Sequence, residues 1–107
     1  SKYENFRSLF KSISNRILQQ FPDAKMITKK TYISFTAKRE FAAINIKSKE
    51  IRLGMDLGDK PFNNKLVKSK LTGPMPRISH MVMLTQPGDF DNDIKSYLKE
   101  SYKRVNQ

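Results

Sequence analysis

Residues 50–57, EIRLGMDL, are the stretch that most constrains the fold. Their apolar side chains point one way (Ile51, Leu53, Met55, Leu57), and the remaining residues point the other way (Glu50, Arg52, Gly54, Asp56). Because successive side chains of a β-strand lie on opposite faces, this alternation predicts a strand with one buried face and one wet face. One-sided burial of this kind is typical of an antiparallel sheet.

Four other segments have apolar patterns that also predict β-strands. Residues 31–37 and 40–47 alternate, with apolar faces formed by Ile33, Phe35 and Ala37 and by Ala42, Ile44 and Ile46; Ala43 and Asn45 are expected to point outward. Residues 78–85, ISHMVMLT, are apolar on both faces, which predicts a central or doubly covered strand. Residues 25–28, KMIT, are a weaker candidate.

Amphipathic helices are predicted at both ends of the chain. Residues 2–21 repeat apolar side chains at helical spacing (Phe6, Leu9, Phe10, Ile13, Ile17, Phe21). A second helix starts near Pro87 and carries the apolar stripe Phe90, Ile94, Tyr97, Leu98, Ser101 and Val105. Asp89, Asp91 and Asp93 suit the positive end of its dipole.

The predicted fold is therefore an α+β two-layer sandwich. An antiparallel sheet of four to five strands carries the N-terminal and C-terminal helices on one face, and the other face stays partly open. A chain of 107 residues fits one domain, so we expect residues 1–107 to form a single basic unit. Since it does not start with Met, we also consider that it was cut from a longer protein.

The charge balance points to polyanionic partners. The chain has 21 Lys and Arg against 10 Asp and Glu, a net charge of +11 and a pI of about 10.0. Such a field favours nucleic acid first, and an anionic membrane surface or an acidic protein second. The absence of cysteine excludes disulfides and thiolate metal sites. No apolar run approaches the roughly 20 residues of a membrane span, so we expect a cytoplasmic protein that is not in a membrane.

A long basic loop is predicted between two strands, at residues 58–77. Most connections are about 4–6 residues long, yet residues 60–79, KPFNNKLVKSKLTGPMPRIS, contain five cations and no acid. We expect the sheet and this loop to contact nucleic acid through Lys29, Lys30, Tyr32, Lys38, Arg39, Arg52, Lys65, Lys68, Lys70 and Arg77. The alternative is a solvated basic surface whose lysines protect strand edges from aggregation.

The sequence offers little for catalysis, and we do not expect an enzyme. His80 is the only histidine; with Arg77 it could contact an anion or ligand at the mouth of the loop, but a hydrogen-bonded strand-end histidine is the stronger interpretation. The acids at 89, 91 and 93 lack the terminal Glu of a calcium loop. We therefore expect neither a metal nor a cofactor.

The order of these motifs resembles a small uncharacterised bacterial domain. The shared features are LFKSISNRILQQFP, YISFTAKREFAAINIKSKEIRLGMDL, RISHMVML and LKESYKRV, over about residues 6–104. The matching positions are Tyr32, Phe41, Ala42, Ile44, Leu53, Arg77, His80 and Tyr102; Ser101 stands where the family tends to have another small residue. Domains of this kind are found at the C-terminus of "predicted transport protein" family members and beside nuclease-like or restriction-type modules.

The resemblance implies a non-catalytic accessory domain, and it supplies no catalytic residue set. Three functions remain open from the sequence. The first is nucleic-acid binding through the basic sheet face and the loop. The second is a protein-interaction or dimerisation domain that docks onto a DNA-processing partner, fused or separate. The third is a ligand sensor or enzyme that uses Tyr32, Arg77 and His80 in a pocket under the loop.

Overall fold

A computed structural model describes residues 6–73 and 77–107. Helix α1 spans Arg7–Gln20 and helix α2 spans Asn92–Val105. Between them run six strands: β1 Lys25–Thr28, β2 Ile33–Thr36, β3 Glu40–Ile46, β4 Ile51–Met55, β5 Val67–Lys68 and β6 His80–Leu84. The start of the first predicted helix, at residues 2–5, and residues 74–76 of the predicted long loop lie outside the described residues.

All the strand pairs are antiparallel, and the sheet order is β1-β2-β3-β4-β6-β5. The predicted α+β class and the two helices at the ends of the chain are confirmed, while the sheet has six strands and not four or five. The additional strand is β5, a two-residue segment inside the long loop that pairs with β6. A strand this short has too few residues to show an alternating pattern in the sequence.

The main core lies between the helices and one face of the sheet. Ile13 and Ile17 of α1 and Ile94 and Leu98 of α2 are buried with the inward side chains of the strands, such as Leu53. Each buried side chain of this size contributes about 1.5–3 kcal/mol. The apolar stripes read from the sequence therefore face the sheet, as predicted.

The start of α2 is fixed by the acids that precede it. The side chain of Asp91 accepts a hydrogen bond from the Ile94 amide at 3.1 Å and caps the helix. Asp89 caps a short 3₁₀ turn at Pro87–Asp89, where its carboxylate accepts bonds from the Thr85 amide (2.9 Å) and hydroxyl (3.1 Å). These bonds and one from Gln86 lower the pKa of Asp89. The helix-start role predicted from the sequence is thus confirmed for Asp91, and Asp93 lies in the first turn of α2. The predicted start near Pro87 is wrong, because α2 begins at Asn92 and Pro87 and Asp89 form the separate 3₁₀ turn before it.

The second face of the sheet is covered at its centre by part of the long loop. Residues 69–73, which we call the strap, leave β5 and cross over β6, β4 and β3 toward the β1–β2 turn. The Ser69 amide donates to the Ser79 carbonyl at 3.1 Å. Leu71 packs so closely on Gly54 that a Cβ added there would lie 2.9 Å from it. At the far end the Thr31 hydroxyl donates to the Thr72 carbonyl at 3.3 Å.

Burial under the strap differs from the pattern predicted from the sequence. Ala43 and Asn45, which alternation places on a wet face, are 0% and 3% exposed, and Gly54 is also buried. The face remains partly open beyond the strap, where Met83 is 48% exposed. At the centre of the sheet the molecule therefore has three layers, which are the helices, the sheet and the strap.

Candidate functional site

Asn45 fixes the strap to the sheet. Its side-chain amide donates to the Thr31 carbonyl at 3.0 Å and, more weakly, to the Thr72 carbonyl at 3.5 Å. Its side-chain oxygen accepts from the Thr72 amide at 2.8 Å. One buried side chain thus holds the β1–β2 turn and the far end of the strap together. The long loop is consequently an ordered element of the fold along this part of its course.

The first half of the loop is anchored on the other side of the sheet. Leu66 is fully buried in the main core, and the Asn63 side chain accepts bonds from the amides of Lys65 (2.9 Å) and Leu66 (2.8 Å). The ammonium group of Lys65 forms an ion pair with Asp91, and that contact is the main reason for the lowered pKa of Asp91. Lys65, predicted to bind nucleic acid, thus has a carboxylate partner.

Four of the predicted nucleic-acid contacts lie at the two ends of the strap. Lys68 and Lys70 are exposed where the strap begins, and Lys29 and Lys30 are exposed in the turn that its far end contacts. We call these four the strap-end lysines. Within residues 6–73 and 77–107, none of them forms an ion pair. Their charge is therefore not offset by any carboxylate within ion-pairing distance in that part of the chain.

Tyr32 lies beneath the strap and not on an open surface. It is half-buried, and a Cβ added at Gly73 would lie 3.0 Å from its ring. Burial and the nearby Glu40 carboxylate raise the pKa of Tyr32. An aromatic ring covered on one side offers less area for a stacked base than the sequence suggested.

The other predicted cations differ from the strap-end lysines either in pairing or in position: Arg52 lies opposite Asn45 in the strand register but has a carboxylate partner, and Lys38 and Arg39 lie far from Lys29 and Lys30. Arg52 projects from β4 and pairs with Glu50, with Nε and the carboxylate oxygen 2.8 Å apart. Lys38 and Arg39 are exposed in the β2–β3 turn. The strand register puts this turn at the opposite end of the sheet from Lys29 and Lys30. The structure therefore divides the predicted site into two basic regions.

His80 is fully buried and satisfied. Its Nε2 lies 2.7 Å from the Lys60 carbonyl, an acceptor, so Nε2 carries a proton. Its Nδ1 lies 2.6 Å from the Ser79 hydroxyl, which also accepts a hydrogen bond from the Leu57 amide at 3.0 Å. The ring of Phe62 packs against the imidazole at a tilt of 36°, with the ring centres 4.6 Å apart. This is the hydrogen-bonded strand histidine favoured from the sequence.

The second basic region forms a cleft of about 600 Å³ where α2 ends beside the β2–β3 turn. The Arg39 amide donates to the side chain of Asn106 at 2.9 Å, which joins the turn to the helix end. The charged residues that line the cleft are Arg39, Asp56, Arg77, Glu100, Lys103 and Arg104. Sequence reasoning named Arg39 and Arg77 but missed Lys103 and Arg104, because cations are favoured in the last turn of any helix and do not by themselves indicate a site. No sequence signal joins the helix end to the turn.

Neither a metal-binding cluster nor a membrane-spanning helix is present in the described part of the chain. Among those residues, no three His, Asp or Glu side chains group in a way that could hold a metal ion. Neither of the 14-residue helices in that part is long and apolar enough to cross a bilayer.

Comparison with known proteins identifies the family. The family model described as "Domain of unknown function (DUF5655)" matches residues 1–104. The chain belongs to the DUF5655 family. The match covers nearly the whole chain, so the resemblance to a small uncharacterised domain is confirmed. No curated protein and no solved structure matches this DUF5655 chain.

Proposed function

We propose that this DUF5655 domain is a non-catalytic accessory module that binds the backbone of nucleic acid at the strap-end lysines. The observation that carries the proposal is the placement of four exposed lysines at the two ends of one ordered strap, without ion pairs among the described residues. The net charge of +11 supports it, because a field of that sign attracts polyanions from a distance.

The proposed contacts are with phosphates and not with base edges. Lysine ammonium groups neutralise phosphates and release condensed counterions, which gives affinity without sequence information. Tyr32 is covered by the strap, so base stacking is a minor part of the mechanism. The expected binding is therefore tolerant of sequence and strongly weakened by salt.

The test is a binding titration of a labelled single-stranded oligonucleotide between about 50 and about 200 mM salt. The variant Lys68→Glu with Lys70→Glu removes the lysines at one end of the strap. If both lysines contact phosphates, the slope of log K against log salt becomes shallower by about 1.4, because each phosphate contact on a single strand contributes about 0.7.

The matched control carries the same change of net charge on the helix side. Lys11→Glu with Lys99→Glu replaces two exposed helix lysines, and it lowers the charge of the protein as much as the strap variant does. The proposal requires the strap variant to bind much more weakly than this control. Equal loss in both variants would mean that only net charge matters, and no binding at low salt would rule the function out.

A second candidate function is docking onto a protein partner through the edge of the sheet. Strand β1 is an edge strand whose four residues are all exposed, including Met26 and Ile27 at 42% and 38% exposure. An exposed edge of this kind can accept a strand from a partner. In this version the domain serves a fused or separate nuclease-like protein in the bacterial cytoplasm. Sedimentation at several concentrations tests for self-association, and pull-downs test for a partner, with Ile27→Lys as the variant that should disrupt the edge. A protein that stays a monomer and captures no partner counts against this function.

A further inference from the structure

The cleft at the end of α2 has a different composition from the strap surface. It lies at the end of the sheet opposite Lys29 and Lys30. Two of its four cations, Arg39 and Arg77, are arginines outside the helix, and the other two come from the last turn of α2. Two apolar residues, Leu57 and Val105, also line it, and both are buried.

Both acids of the cleft already have ion-pair partners. Asp56 pairs with Arg104, with Oδ1 and Nε 3.1 Å apart, and Glu100 pairs with Lys60 at 3.3 Å, a lysine outside the cleft lining. Arg39 and Lys103 form no ion pair within the described parts of the chain. The cleft therefore keeps an excess of positive charge after its acids are counted.

The guanidinium group of Arg104 is held in place by the protein. Its Nε donates to Asp56, which is only 8% exposed. The backbone of Asp56 is fixed in turn, because its amide donates to the buried Ser101 hydroxyl at 2.9 Å. Gly58 leaves room for the guanidinium plane, since a Cβ at that position would lie 2.6 Å from Cζ of Arg104. With Nε occupied by Asp56, the terminal nitrogens are the donors that remain to meet a ligand.

We propose that this cleft binds a phosphomonoester group. The held guanidinium of Arg104, with Arg39 and Lys103 in the same cleft, matches the bidentate geometry and the double negative charge of a terminal phosphate. The volume of about 600 Å³ lies within the usual range of small-ligand sites. It leaves room for a nucleoside behind the phosphate.

Two sources can supply this group: a free mononucleotide, or the terminal phosphate of a nucleic acid strand. The second source would deepen the proposed function, because a strand end would be held in the cleft while internal phosphates meet the strap-end lysines. The first source is independent of that function. Both use the same chemistry at the cleft, and the experiment separates them.

The experiment titrates the protein with adenosine 5′-monophosphate and with adenosine, and follows the amide resonances of the chain. Binding of the monophosphate is expected to shift the amides of Arg39, Gly58 and Arg104, while adenosine leaves them in place. Arg39→Gln should weaken monophosphate binding about tenfold to a hundredfold, which is the usual effect of losing a charge-assisted hydrogen bond. Lys99→Gln is the matched control, because it removes an exposed charge from the same helix outside the cleft.

Several results would overturn the proposal: no shift with the monophosphate up to about 10 mM, equal response to adenosine, or affinity unchanged by Arg39→Gln combined with Lys103→Gln. An oligonucleotide with and without a 5′-phosphate then identifies the source. A preference for the phosphorylated strand that Arg39→Gln abolishes indicates a strand end, and no such preference indicates a free mononucleotide. Lys68→Glu with Lys70→Glu should leave monophosphate binding intact, so failure of the strap proposal and failure of this one are distinguishable.

Discussion

Replacing Asn45 with alanine should release the far end of the strap. The substitution removes two good hydrogen bonds, at 2.8 and 3.0 Å, and one long one at 3.5 Å. A typical neutral hydrogen bond contributes about 1 kcal/mol net. Thr31 and Thr72 are exposed residues, so water can replace part of what they lose. We therefore expect a loss of about 2 kcal/mol, or a fall in melting temperature of about 10 °C.

Two measurements check this prediction together. Urea unfolding at neutral pH gives the free energy of unfolding, and amide hydrogen exchange reports on the Thr72 amide, whose acceptor is the Asn45 side chain. Asn64→Ala is the control, because Asn64 is an exposed amide in the same loop. A cost below about 0.5 kcal/mol, which is ordinary for a surface change, or unchanged protection of Thr72 would refute the idea that Asn45 fixes the strap.

Two further predictions concern the turns at the ends of the sheet. The pKa of Asp89 is lowered by the hydrogen bonds it accepts, so the folded protein binds this proton less readily than the unfolded chain. Its contribution to stability is complete above the ordinary pKa of 3.8 and is lost as the pH falls through the lowered value. Asp89→Asn should therefore weaken the dependence of the urea unfolding midpoint on pH in that acid range, and an unchanged dependence on pH would contradict the prediction. Gly58→Ala should cost about 1–2 kcal/mol from the φ of +61°, and the added Cβ must also displace the Arg104 guanidinium. Gly88→Ala is the control, because no atom lies near the added Cβ, and it should leave stability nearly unchanged. Thermal melts of both variants test this, and equal melting temperatures for the two would refute the strain at Gly58.

The main elements of the fold follow from local periodicity in the sequence. Alternation in residues 50–57 and the apolar stripes of both helices each depend on residues close together in the chain, so the pattern is visible without the structure. The strap has no such pattern, because it is irregular chain held by Asn45 and by packing on Gly54. For that reason Ala43 and Asn45 were expected on a wet face and are buried.

The candidate site could be predicted only in part for a related reason. Composition and the acid-free loop indicated where in the chain positive charge is concentrated, and Lys68 and Lys70 of that loop are exposed. Ion pairs such as that of Lys65 with Asp91, 26 residues away, depend on tertiary contacts that composition does not contain. The cleft likewise needs the turn at Arg39 beside the end of α2, a contact across 67 residues.

Mapping an oligonucleotide onto the amide resonances of the protein tests the central claim most directly. With a single-stranded oligonucleotide at low salt, the account predicts that the largest shifts fall on residues 29–31 and 68–73 and fade together as salt is added. Shifts concentrated on the exposed faces of α1 and α2, with residues 68–73 unmoved, would contradict it.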